Sequence, residues 1–319
     1  MVAVETAAPP AMEGRPVIPA KEKRSVAPYG LVGPALFLIV ATNIVPGVWA
    51  FYLSLREMLY FNDRGFVGLE NYIGFLSAPS TWKAIGVSLQ FTFLSLIVGG
   101  VIALLTALAV NRMGARGRFL MTLFLIPWAM SPLVVAILWK WILAPFDGGL
   151  LNGILAFFAF GPVAVLSDGI GSMAALVGVA VWRTFAFAAI LLLAGLAQIP
   201  DDLYKAASVD GQSRWEQFRR ITVPLLKPSI LIVLATLTIS YFNEVQVIIG
   251  LTEGGPIGST QTLSYLLYQT GFEESNQGYG NAVAVVMFLI NMVLILLYVK
   301  FLGVGVERRR KKAPKEVSA

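Results

Sequence analysis

Arg183 and Glu244 are charged residues inside otherwise apolar runs. Charge at membrane depth is costly, so it marks a pathway, a relay or a pair. Ala180, Arg183, Thr184 and Phe187 fall at i, i+3, i+4 and i+7, one face of a helix, beside Trp182. Tyr241, Glu244 and Ile248 share a face of another helix, with Asn243 and Gln246 nearby. A guanidinium, a carboxylate, an amide and aromatic rings are the groups that orient and stack on a polyhydroxyl ligand. The same two charges could instead pair with each other, or with another chain, and hold helices together. The sequence leaves both readings open. Covalent chemistry is excluded more firmly. With no His and no Cys, serines lack a histidine base, and thiols, disulfides and the commonest zinc ligands are missing. No Gly-rich loop ends in Gly-Lys-Ser/Thr, so the chain has no cradle for nucleotide phosphates. Asp147 and Asp168 stand apart, without the clustering of a metal site. The expectation is a non-enzyme that binds no cofactor or metal.

The elements that must position these residues are membrane helices. The chain has 319 residues, 57% hydrophobic and 13% charged, with mean hydropathy +0.75. A soluble domain carries about a quarter charged residues. Six apolar stretches, at about 30–55, 85–110, 119–143, 171–197, 229–251 and 280–302, are each near or above the ~20 residues that a span needs. The sequence therefore predicts an all-α integral membrane protein of six transmembrane helices. The segment 150–166 is short, is interrupted by Gly161-Pro162, and reads as interfacial. Residues 1–28 read as a disordered tail rather than a secretory signal, 29–304 as the membrane domain, and 305–319 as a basic tail. Nineteen Lys and Arg lie in one set of flanking segments and four in the other, with Arg183 inside a span. That asymmetry places both termini and the 198–228 loop in the cytoplasm. Arg308 to Lys312 read as an anchor on anionic lipid, not as a nucleic-acid site. Arg183 lies 15 residues before Gln198, roughly 22 Å of helix, so it falls in the outer half of its span, at a depth comparable to Glu244.

The 198–228 loop is the longest charge-rich stretch between two spans. Pro200, Asp201 and Asp202 suit a helix start. Leu203, Ala206 and Ala207 form a small apolar stripe, and Gly211 allows a turn. A second amphipathic helix is expected over 213–221, with Trp215, Phe218 and Ile221 on one face and Pro224 and Pro228 ending it. By pattern alone this is a solvated loop with two short helices.

Its spacing says more. Ala206-Ala207, Asp210-Gly211, Ile221 and Thr222-Val223-Pro224-Leu225-Leu226 resemble the EAA loop of ABC importer permeases, which docks a coupling helix on a cytoplasmic ATPase. The motif's leading Glu is Lys205 here. The segment 251–272 further resembles carbohydrate permeases of the maltose-permease F type. The resemblance covers about 30–302. It implies a type I ABC importer permease in the bacterial inner membrane and a G-type permease partner. It also implies two ATPases carrying ATP and Mg, and an extracytoplasmic solute-binding protein that delivers a carbohydrate. ATPase coupling would fall to Leu203, Lys205, Ala206, Ala207, Asp210 and Gly211. The substrate path would fall near Arg183, Thr184, Phe187, Tyr241, Asn243 and Glu244. The alternatives are an ion-coupled secondary transporter, or a permease for a glycerophosphodiester, polyol or acidic sugar. Asn43, Gln90 and Asn291, single polar residues in other spans, are expected to bridge helices.

Overall fold

The computed structural model describes residues 27–145 and 148–302. The tails expected at 1–28 and 305–319 lie outside the described residues, apart from Ala27 and Pro28. The chain divides into two units, 1–48 and 49–319. Helix α1 begins in the first unit as Ala27–Ile39, passes through a π turn at Val40–Ile44, and continues as Val45–Ser54, whose last six residues belong to the second. Pro46 lies two residues after that π turn. A proline inside a helix removes one N–H and crowds the carbonyl a turn before it. A widened turn relieves both.

The second unit goes on to a hairpin, β1 Arg56–Leu59 and β2 Asn62–Phe66, within what the sequence presents as an all-α chain. Tyr60 and Phe61 both have positive φ, 50° and 61°, which makes the two-residue mirror-image turn that suits strand twist. Asn or Gly usually occupies those positions, so pattern reading passes over this turn. Contacts from outside hold it: Tyr60 N–H donates to Ser275 O, and Phe61 N–H to Gln277 Oε1.

Helices follow: α2 Glu70–Ser77, α3 Pro79–Met113, α4 Ala115–Phe124, α5 Ile126–Ala129, α6 Pro132–Ile142, α7 Leu150–Phe157, α8 Gly169–Leu196 and α9 Asp201–Val209. Then come α10 Arg214–Phe242, α11 Gln246–Leu251, α12 Leu263–Tyr268 and α13 Gln277–Leu302. Among the described residues, five helices are long and apolar enough to cross a membrane, or six if the pair 119–129 and 132–142, bent by 93°, forms one span. The core lies where α3, α8 and α10 meet. Small buried residues, Ala103, Ala107, Ala186, Ala188 and Ala189, let those backbones approach.

Three expectations are corrected. The stretch 119–143 is not one straight helix. It breaks at Met130–Ser131, because the residue before Pro132 is driven out of the helical region. The stretch 229–251 breaks at Asn243–Val245. And Pro224 and Pro228 do not end the helix that starts at Arg214, which runs on to Phe242. A π turn at Phe218–Thr222, with Val223 N–H bonded to Phe218 O, absorbs Pro224 as the earlier one absorbs Pro46.

Candidate functional site

Arg183 projects from α8 toward the break between α10 and α11. Its Nη2 donates to Glu244 Oε2 at 2.9 Å, with the two side chains 11% and 7% exposed. The other carboxylate oxygen accepts the Val247 N–H at 3.1 Å, so Glu244 also caps the first turn of α11. The Glu244 carbonyl accepts from Ser264 Oγ at 2.6 Å, and Leu263 N–H donates to Ser88 Oγ on α3. One residue in a helix break thus ties α8, α11 and the start of α12. Arg183 Nε has no partner.

Beside the pair, Thr184 Oγ1 lies 2.6 Å from Tyr241 OH and 2.8 Å from Ala180 O. Thr184 has one proton, and the carbonyl can only accept, so Tyr241 is the donor to Thr184. The Tyr241 ring meets Phe91 edge-on. Phe187 is half-buried and stacks on Trp128 of α5, with centroids 4.9 Å apart and planes 3° from parallel. Arg183, Thr184, Tyr241 and Glu244 are therefore brought together, with Phe187 one turn further along α8. Asn243 is not. It points the other way, donates to Ile239 O, and faces a groove toward α13. Gln246 is exposed and Ile248 buried. Sequence reasoning missed Trp128, Ser264 and Ser88. Trp128 gave a weak signal, an aromatic after Pro127 at the edge of a break. The two serines gave none.

At the opposite end, α9 presents Leu203 and Ala206 outward, and Val209 is 88% exposed. Lys205 meets Asp202 at 2.9 Å on the surface. Ala207 turns inward and is buried, and Tyr204 OH lies 2.9 Å from Thr222 Oγ1 on α10. Asp210 is exposed. Gly211 takes φ +76°, and the bonds Gln212 N–H to Ala207 O and Gly211 N–H to Ser208 O close a Schellman cap. Ser213 and Glu216 then form a reciprocal capping box that starts α10. The expected Trp215/Phe218/Ile221 face is split: Ile221 packs on the core, while Trp215 stacks on Phe218 and is 68% exposed.

The described residues thus combine five or six apolar helices long enough to cross a membrane with a buried ion pair and a capped helix standing off one end. Residues 96–312 match the family described as binding-protein-dependent transport system inner membrane component, and the chain belongs to that family. It is 35% identical over 274 residues to the trehalose/maltose transport system permease protein MalF of Thermococcus litoralis, covering 85% of this chain and 92% of that one. It is 34% identical over 277 residues to the trehalose transport system permease protein SugA of Mycobacterium tuberculosis (86% and 88% covered). It is 32% identical over 283 residues to the sn-glycerol-3-phosphate transport system permease protein UgpA of Agrobacterium fabrum (86% and 94%). In fold it matches a chain of a bacterial alginate ABC transporter, crystallised with an alginate pentasaccharide-bound periplasmic protein (TM-score 0.73, 22% identity, 88% and 94% covered). The chain is a multi-pass inner-membrane permease subunit of an ABC importer and is not itself an enzyme.

Proposed function

We propose that this permease forms half of a carbohydrate translocation path. Its helices make six spans with both termini cytoplasmic. A G-type permease forms the other half, two ATPases hold the ATP and Mg, and a solute-binding protein delivers substrate to the far side. The observation that carries the coupling role is α9: a short helix with Leu203, Ala206 and Val209 exposed, fixed at its root by Tyr204–Thr222 and the Gly211 cap. Such a helix transmits a push from a partner that buries its outer face. Leu203, Ala206 and Asp210 would touch the ATPase directly. Lys205, already engaged by Asp202, contributes surface charge, and buried Ala207 and Gly211 fix the lever's geometry.

The relatives' names support a sugar or related solute. On the path, Phe187 with Trp128 supplies ring surface, while the buried Thr184 and Tyr241, bonded to each other, hold the helix behind it. Because Glu244 neutralises Arg183, the geometry favours a neutral polyhydroxyl ligand over a phosphorylated or acidic one. That engagement also argues against a proton-relay acid, as a secondary transporter would need. The test is purification of the tagged chain from membranes. An ABC-type ATPase should co-purify with the wild type and be lost from Ala206→Arg and Val209→Asp while the chain stays inserted. Full retention by both variants would overturn the docking role.

A further inference from the structure

The intramembrane amides do not bridge helices within this chain as the sequence suggests. Asn43 and Asn291 donate to carbonyls of their own helices, and Gln90 is exposed. Unengaged donors gather instead at the end of the bundle that carries α9. A cleft of about 810 Å³ opens there between the last turns of α3, the root of α9 and the first turns of α10. Arg112 of α3 and Arg214 of α10 line it, and among the described residues neither side chain has an ion pair or a hydrogen bond. The Asn111 amide and the Trp215 indole N–H on the same walls are likewise without a partner among the described residues. Asp201 is the acid of the lining, so two guanidiniums against one carboxylate leave a positive charge in excess.

The lining changes character along one direction. Leu105, Leu108 and Arg112 fall at i, i+3 and i+7, a stripe about 10 Å long that runs from leucine to guanidinium toward the end of α3. Leu105 is exposed, on a helix long and apolar enough to cross a membrane. On the α10 wall, exposed Trp215 stacks on Phe218, an amphipathic ring of the kind that settles at the level of lipid headgroups. A basic pocket between helices at a cytoplasmic face suits an anionic headgroup. A soluble phosphate would leave the leucines bare, whereas an acyl chain covers them. Asp201 and Tyr204 line the cleft from the face of α9 opposite Leu203, Ala206 and Val209, so a partner on the outer face leaves the cleft open. We infer that this cleft binds an anionic phospholipid of the cytoplasmic leaflet, with its phosphate between Arg112 and Arg214 and a chain along Leu105 and Leu108. Only the leaflet is taken from the reading above, which puts this end in the cytoplasm.

Native mass spectrometry of the purified transporter, in detergent with equal amounts of phosphatidylglycerol and phosphatidylcholine, reads the binding without regard to orientation. The wild type should retain phosphatidylglycerol in preference. Arg112→Gln/Arg214→Gln should weaken that retention about thirtyfold, the scale of two basic residues at an anionic surface. Arg219→Gln/Arg220→Gln removes the same charge from exposed positions on α10 outside the cleft, and should leave retention unchanged. No preference in the wild type, or equal loss from both pairs, would overturn the inference. Inorganic phosphate, added at constant ionic strength, should not displace the lipid, and displacement would overturn the lipid as occupant in favour of a free phosphate. A preparation without an ATPase would count against the docking reading alone, because the cleft lies wholly within this chain and its lipid is read all the same.

Discussion

Glu244→Gln isolates the buried ion pair. Glutamine keeps an oxygen for the Val247 N–H, so the cap on α11 survives. The amide's N–H₂ then faces Arg183 Nη2, and two donors cannot bond. Arg183, 11% exposed and already missing a partner at Nε, is left as an uncompensated charge. Removing one partner of a buried pair costs about 3–5 kcal/mol, whereas replacing both by apolar groups of similar size is often neutral or stabilising. We expect Glu244→Gln to destabilise the purified permease by an amount in that range, and the double variant Arg183→Met/Glu244→Leu to recover most of it. The assay is equilibrium denaturation in detergent, paired with solute uptake in proteoliposomes. A loss below about 1 kcal/mol for the single variant, or a double as unstable as the single, would refute the reasoning. Uptake separates the two roles. A stable double variant that transports places the pair in the scaffold, and a stable one that does not places it on the path.

Other variants test the packing around it. A Cβ at Gly250 would lie 2.6 Å from the Ala136 Cβ, so Gly250→Leu should separate α6 from α11 and cost about 1–3 kcal/mol by overpacking, read in the same denaturation assay. Tyr204→Phe deletes the bond from α9 to Thr222. It should lower uptake per ATP hydrolysed while changing stability by only about 0.5–1.5 kcal/mol, and unchanged coupling would count against a rigid lever. In the hairpin, the hydrogen bond from Arg56, with a second from the Gly65 N–H, holds the Asp63 carboxyl below its ordinary 3.8. A lowered acid pKa contributes stability above the unfolded value, and that stability fades as pH falls through the folded one. Amide exchange in 56–66 should therefore gain protection loss only below about pH 4, and Asp63→Asn should show the faster exchange at neutral pH as well.

Periodicity located the faces and missed the breaks. Arg183, Thr184, Tyr241 and Glu244 meet as their spacing suggests, because a helix of fixed pitch carries its own map of neighbours. The same arithmetic, run unbroken through 243, put Asn243 beside Glu244. The structure ends α10 there and turns Asn243 toward α13 instead. Proline was a poor guide in the other direction. Pro224 and Pro46 lie within continuous helices because a π turn precedes each, and no local pattern signals a π turn. The Tyr60–Phe61 turn is held from residues 275–277, more than two hundred positions away, so its own sequence could not announce it.

The break at Asn243–Val245 explains why a carboxylate is tolerated at that depth. In an unbroken helix, Glu244 would present only its side chain, and the backbone would be satisfied without it. Where the helix stops, the first N–H groups of α11 lack carbonyl partners, and a carboxylate supplies one while its other oxygen meets Arg183. Ser264 completes the set by donating to the freed Glu244 carbonyl. Charge, break and pair are thus one feature. Restoring a continuous helix through 243–245 would leave Glu244 with half its partners, and removing Glu244 would leave the break with an unsatisfied end.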